Sequence, residues 1–223
     1  MTKGDEHMKK KSFLIIGAGS FGKHLCRCMA AQGAEIMVVD QLDARVEELL
    51  PYVVSGKVGD CTNPEVLRSF GVADFDACFV CTGENFQNSL VITDLLKELG
   101  AKKVFSEAGE DMQEKFLRLG GADHVVFPEK DVASRLAVSE CYDSIFDYIA
   151  LAGDYGIFEL EVPARWADKT LRELNVRAAY SLNILASRQD AGVQPIVDPD
   201  YRLTRGEHIL VMGHIRDVRR ATE

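Results

Sequence analysis

FLIIGAGSFGKHLCRCMAAQGAEIMVVD, residues 13–40, passes from a buried strand through a glycine turn and a helix into a second strand that ends on an acid. Phe13 to Ile16 is a short apolar run with no polar face. Gly17-Ala18-Gly19-Ser20-Phe21-Gly22 follows as G-x-G-x-x-G. A helix with a small apolar face (Leu25, Cys26, Met29, Ala30) runs to Gly33, and the strand Ile36 to Val39 delivers Asp40. Each part has a mechanical role in holding a nucleotide. Gly17 permits the turn, Gly19 lets backbone N–H groups approach a diphosphate, and Gly22 lets the helix lie close to the sheet. The helix N-terminus contributes favourable partial charge, and an acid at the end of the second strand accepts ribose hydroxyls. A lone G-x-G-x-x-G is weak evidence, but strand, glycines, helix, strand and acid in this order read as a dinucleotide-binding unit.

The chain has 223 residues, 47% hydrophobic and 27% charged, which is the composition of an ordinary globular protein of one large or two small domains. No run reaches the roughly 18 apolar residues of a membrane span and no signal peptide is visible, so a cytoplasmic location is expected. The net charge is −9, with −8 carried by residues 1–152 and −1 by the rest, so neither nucleic acid nor anionic lipid is an expected partner. Six cysteines in a chain of this kind read as buried thiols. Cys78 and Cys81 have C-x-x-C spacing, but three residues apart on a strand they face opposite sides. Cys26 and Cys28 diverge on a helix. Met1 to His7 reads as a vector-derived start ahead of Met8-Lys9-Lys10-Lys11, and residues 1–10 are left outside the fold.

Downstream, the sequence predicts a helix over Asp43–Leu50 ended by Pro51, a strand at Ser55–Val58, and a helix from Pro64 to Phe70 capped by Gly71. Strands at Ala77–Cys81, Lys103–Ser106 and His124–Phe127 alternate with helices at Phe86–Leu99 and Asp111–Leu119. This is a Rossmann-type, doubly wound α/β fold with a six-stranded parallel sheet over residues 11–138. Ligands bind such sheets beyond the carboxyl ends of the strands, where four loops converge: Gly17–Gly22, Asp40-Gln41, Asp60-Cys61 and Thr82-Gly83-Glu84-Asn85. Asp60 or its backbone would read adenine, and Thr82 and Gly83 would lie along ribose and phosphates. Equally, Asp60–Asn63 could be a simple Asx turn and Thr82 a helix cap. A helix over Ser139–Ala150 within a linker (139–152) and a domain boundary at Gly153–Gly156 are expected. Residues 153–223 then form a small α+β unit, with strands at Ile157–Val162, Leu182–Ser187 and His208–Met212, a helix at Thr170–Leu174 and a turn around Asp190–Gly192. About 70 residues is near the lower size for an independent core, so a dimer partner is expected.

An enzyme is not expected. The remainder is small for a substrate domain, and no tyrosine is followed by lysine four positions on. Asp123-His124 and Glu207-His208 are neighbours in sequence, but in extended chain such neighbours face opposite ways, so no histidine has a carboxylate placed for general acid–base work.

The runs GAGSFG, VVD, GDCTN, CTGEN, GADHVVFPE and EVPARWADKTLRELNVR resemble the TrkA/KtrA-type regulatory subunits of bacterial potassium uptake systems, over nearly all of residues 11–220. The resemblance implies a regulator-of-conductance-of-potassium (RCK) domain with a TrkA-C-type tail. Dimers would assemble to a tetramer or octameric ring on the inner face of a TrkH/KtrB-type membrane subunit, where NAD(H), ADP or ATP shifts the ring between conformations. Carried over, Gly17, Gly19 and Gly22 match the phosphate loop, Asp40 the ribose acid, Asp60-Cys61 the adenine side and Thr82–Asn85 the fourth loop. Glu129 matches an acid that holds a cation between subunits in some members, and also reads as a helix-start acid favoured by the dipole. Ser20 stands where many members have Arg, and Ser106-Glu107-Ala108 where Ala-Arg-Ala is common. Both departures favour NAD(H), ADP or AMP over ATP, since Glu107 repels phosphate. Asp40, with Gln41 offering no cation, disfavours NADP. Some members bind cyclic di-AMP in the tail, where Leu174, Asn175 and Ile184 mark the candidate surface. The alternatives are a regulator of another ion transporter and a small NAD-dependent oxidoreductase.

Overall fold

The computed structural model describes residues 10–189, 192–196 and 198–222, which divide into two compact units, residues 1–130 and 131–223. The presumed vector-derived start, and most of the turn expected around Asp190–Gly192, lie outside the described residues.

The first unit carries a parallel sheet of β1 (Ser12–Ile16), β2 (Glu35–Asp40), β3 (Ser55–Val58), β4 (Ala77–Val80), β5 (Val104–Glu107) and β6 (His124–Val126), ordered β3-β2-β1-β4-β5-β6. The helices are α1 (Ser20–Ala31), α2 (Asp43–Glu47), α3 (Pro64–Arg68), α4 (Phe86–Glu98) and α5 (Asp111–Leu119), with α6 (Pro128–Cys141) beginning after β6. Strand residues alternate between two apolar layers. Leu14, Ile16, Val39, Cys78 and Val80 meet Leu67, Ile92 and Leu96 from α3 and α4. Ile15, Ile36, Val38, Ala77 and Phe79 meet Cys26 of α1 and Val46 of α2. Covering both faces is what lets short, wholly apolar parallel strands exist. The same alternation puts Cys78 and Cys81 in different layers, on opposite faces of the sheet.

Local differences from the expected elements have local causes. Helix α2 stops at Glu47, and Pro51 lies inside a following 3-10 turn, Leu50–Tyr52, rather than ending the helix. Helix α3 ends at Arg68 with Ser69 as its C-cap, two residues short of the expected end, and Gly71, at φ 66°, instead opens a second 3-10 turn, Val72–Asp74, which buries Val72.

The second unit is where expectation and structure part. Its sheet is antiparallel, ordered β10-β9-β11-β8-β7, from β7 (Ile145–Ala152), β8 (Tyr155–Glu161), β9 (Asn183–Gln189), β10 (Gly192–Pro195) and β11 (His208–His214). Helices α7 (Leu171–Leu174), α8 (Val176–Tyr180) and α9 (Ile215–Thr222) complete it. The helix expected over Ser139–Ala150 is instead the end of α6 followed by β7. Strand β7 pairs with β8 through two register shifts, at Ile145/Asp147 and Ala150/Ala152, which break its two-residue alternation and leave an apolar pattern that imitates a helix. Gly153 is therefore the turn of the β7–β8 hairpin, inside the second unit, and the division between units falls at Lys130–Asp131. A Cβ at Gly156 would strike the ring of Tyr148, which stacks on Phe158 with centroids 4.8 Å apart. Around Phe158 and Leu160, the buried Trp166, Val176, Leu182, Leu203, Ile209, Val211 and Val218 form one core.

Candidate functional site

The sheet order reverses between β1 and β4, and a cavity of about 510 Å³ opens there, lined entirely by first-unit residues. Gly17 sits at φ 95°, donates its N–H to the Val39 carbonyl at 2.8 Å, and has no room for a Cβ against the Cys81 carbonyl. A Cβ at Gly22 would strike the Gly17 carbonyl, so this glycine packs helix on loop and does not itself line the cavity. Gly19 differs: its Cβ position is open, it faces the cavity, and no side chain caps α1 behind it. The first-turn N–H groups of a twelve-residue helix are thus left facing space where an anion is stabilised. Ser20 and Phe21 line the same mouth.

Asp40 is 8% exposed. Its Oδ2 accepts the Ala18 N–H at 2.7 Å and its Oδ1 the Leu42 N–H at 2.9 Å, tying the glycine loop to the end of β2. Each oxygen keeps a free lone pair, so the carboxylate is fixed in place and can still accept two ribose hydroxyls. Gln41 and Leu42 line the wall beside it, as does Arg45, whose guanidinium lies 3.6 Å from Asp40. Sequence reasoning passed over Arg45 because it lies on α2, five positions beyond the acid. Only the turn of that helix returns it to the cavity.

At the end of β3, Gly59 and Cys61 line the cavity and Asp60 does not. The Asp60 carboxylate accepts the Thr62 hydroxyl at 2.7 Å and the Thr62 N–H at 2.9 Å, and these bonds hold its carboxyl below the usual range. That is the Asx turn, the bland alternative for this loop. Burial pushes the Cys61 thiol up to about 12, so it is a neutral packing wall. Thr82, Gly83, Glu84 and Asn85 all line the cavity, and Asn88 and Ile92 of α4 join them. Asn85 caps α4, its Oδ1 accepting the Asn88 N–H at 3.1 Å. Thr82 pairs with Ser89 at 2.9 Å, and the buried Thr93 with the buried Ser106 at 2.7 Å, hydroxyls that pin α4 to the ends of β4 and β5. Glu107 closes β5, and its Oε2 accepts the Gly83 N–H at 3.3 Å. Burial raises its carboxyl above the usual range; the Gly83 bond opposes this, and Glu129 and Glu84 add to it. Glu129, in the first turn of α6, lines the same end with Gly109.

Histidine requires a correction. His208 Nδ1 lies 2.8 Å from Oε1 of the buried Glu159, which also pairs with Arg188, and His214 lies 3.6 Å from Asp154. These pairs form across the second unit's sheet and its turn, where sequence neighbours gave no hint. None of these residues lines the crevice, and no histidine or lysine does among the described residues. In the tail, Leu174 and Ile184 pack against the second core, while Asn175 adopts φ 41° between α7 and α8.

Residues 13–128 match the TrkA-N domain and residues 157–223 the TrkA-C domain. This chain belongs to the TrkA-type family. Ktr system potassium uptake protein C of Bacillus subtilis is 35% identical to it, over 95% of this chain and 96% of that protein. Ktr system potassium uptake protein A of the same organism is 31% identical over 96% of each. Among solved structures, the GsuK RCK domain superposes with a TM-score of 0.66 at 18% identity, covering 97% of this chain and 48% of that one. The GsuK channel bound to NAD gives the same score at 18% identity over 96% of this chain and 39% of that one. These likenesses carry the fold, and this chain spans about half or less of those structures. No helix of the described residues is long and apolar enough to cross a membrane.

Proposed function

We propose that this family member is the nucleotide-binding regulatory subunit of a bacterial potassium uptake system, acting on a separate potassium-translocating membrane subunit from its inner face. The observation that carries the reading is Asp40. Its carboxylate is buried, doubly anchored by backbone N–H groups, and still has acceptor capacity toward a cavity bounded on the next strand by the open Gly19 turn. The residues present fit an adenosine diphosphate moiety: Asp40 for the ribose, the Gly19 turn and first-turn amides of α1 for the phosphates, and Gly59 and Cys61 beside the base. The bound group supplies no chemistry in this reading; it biases conformation by its difference in affinity between states. NAD(H), ADP and AMP suit the cavity better than ATP, because Glu84, Glu107 and Glu129 line one end of it and Arg45, its cation among the described lining residues, stands beside Asp40. NADP is disfavoured, since a 2′-phosphate would face Asp40. Exposed Met112, Phe116 and Leu119 lie along one side of α5, an apolar stripe that supports assembly of copies into a ring.

Thermal shift and calorimetric titration with NAD, NADH, NADP, ADP, AMP and ATP test this on the wild type and Asp40→Ala. Binding of adenine nucleotides that is lost in Asp40→Ala is expected. A wild-type protein that binds none of the panel would remove the nucleotide-sensor reading.

A further inference from the structure

The crevice has two carboxylate ends. In the sheet order β2-β1-β4-β5, Asp40 closes β2 and Glu107 closes β5, with the glycine loop after β1 and the Thr82-Gly83 loop after β4 between them. Three strand spacings separate the two ends, roughly 14 Å at about 4.8 Å per spacing. Amide-rich backbone flanked by an acid on either side matches a ligand with a sugar at each end of a diphosphate.

Glu107 is built into this place. A Cβ on Gly83 would lie 2.8 Å from the Glu107 Cγ, so only a glycine at position 83 lets the side chain lie over the loop. The Glu107 carboxylate then takes the Gly83 N–H, a donor that would otherwise be open to a phosphate. Behind it, Ser106 is fully buried and bonded to Thr93, which fixes the end of the strand. No cation among the described lining residues shares this end, and Glu84 and Glu129 do.

We infer that Glu107 is a specificity-determining residue that accepts hydroxyls of the second sugar of a dinucleotide, so that the far end of the crevice takes a ribose rather than a phosphate. The assignment rests on the nucleotide reading above and adds to it what the second half recognises. A hydroxyl donor satisfies a half-buried carboxylate already crowded by two others, whereas a terminal phosphate meets three like charges and loses the Gly83 amide.

The test is calorimetric titration of the full chain with AMP, ADP, ADP-ribose and ATP, using wild type, Glu107→Gln, Glu107→Ala and Gly83→Ala. ADP-ribose carries the second sugar without the nicotinamide ring. Wild type is expected to bind ADP-ribose about tenfold or more tighter than ADP, the usual worth of a hydrogen bond to a charged group. In both Glu107 variants this ratio should fall to within about threefold while AMP affinity holds and ATP binds more tightly. Gly83→Ala, which displaces the carboxylate without removing it, should lower the ratio in the same direction. If AMP binds and the ADP-ribose to ADP ratio is the same in wild type and both Glu107 variants, the assignment of Glu107 is overturned while the nucleotide site stands. If none of AMP, ADP, ADP-ribose and ATP binds wild type, the nucleotide site itself is wrong and the assignment goes with it.

Discussion

Glu107 illustrates how one side chain is set by forces acting in opposite directions. Burial and the carboxylates of Glu129 and Glu84 disfavour its charge, and a single backbone N–H favours it, so the folded state holds its proton more tightly than the unfolded chain does. Stability is then lost as pH rises from the ordinary carboxylate value through the raised folded one, because the unfolded state releases the proton first. Glu107→Gln is therefore expected to raise the unfolding temperature at pH 7, with the gain shrinking toward zero near pH 4. Melting curves across that range check it, and a gain that persists undiminished at pH 4 would contradict the sign. Asp40 is the contrasting residue. Its two oxygens anchor Ala18 and Leu42, so Asp40→Asn is expected to retain part of the loop geometry, while Asp40→Ala loses both bonds. Nucleotide titrations of the two variants should rank wild type first, then Asn, then Ala.

At the scale of elements, the glycine turn and the small caps show how little chain is needed to position a helix. Gly17→Ala demands φ 95° of a residue with a Cβ and drives that Cβ into the Cys81 carbonyl, so it is expected to destabilise the first unit as well as to abolish nucleotide binding. Helix α7 is only four residues long and depends on its start. Thr170 and Glu173 form a reciprocal capping box, the Thr170 hydroxyl accepting the Glu173 N–H at 3.2 Å and Glu173 accepting the Thr170 N–H at 2.7 Å. Thr170→Ala should cost about 1 kcal/mol by urea denaturation, with nucleotide affinity unchanged. The β7–β8 hairpin teaches the opposite lesson. Ile145, Phe146 and Ile149 carry a helical spacing, yet pairing to β8, with two register shifts, makes them a strand. Periodicity reports which residues can share a face. It does not report which partner supplies the other half of the hydrogen bonds.

For the whole molecule, each unit has its own buried core, and every described residue that lines the crevice belongs to the first. Phe158 is fully buried in the second core. Phe158→Ala should cost about 3–5 kcal/mol there. It should leave the affinity for AMP within about threefold of wild type at a temperature where both units are folded, a difference under about 1 kcal/mol. Nucleotide at a hundred times its dissociation constant should stabilise the native protein by about 2.7 kcal/mol, and calorimetric scans with and without AMP would measure it.

The sequence by itself determined the order of strands and helices in the first unit, though not every boundary. Short-range signals suffice where a strand must be apolar on both faces, a turn must be glycine, and a helix must start at a cap. Asp40, the glycine loop and Thr82–Asn85 were legible because each follows immediately on such an element. What only the tertiary structure decided depends on chain segments far apart in sequence: β7 and β10, the pairing of His208 with Glu159, the return of Arg45 to the cavity, and the diversion of Asp60 into its own turn. An antiparallel sheet takes its hydrogen bonds and its register from distant strands, and a cavity from loops that meet only once the sheet has closed. Glu107 lies between the two cases. Its sequence position marked it as an acid at a strand end, and only packing against Gly83 showed which donor it holds.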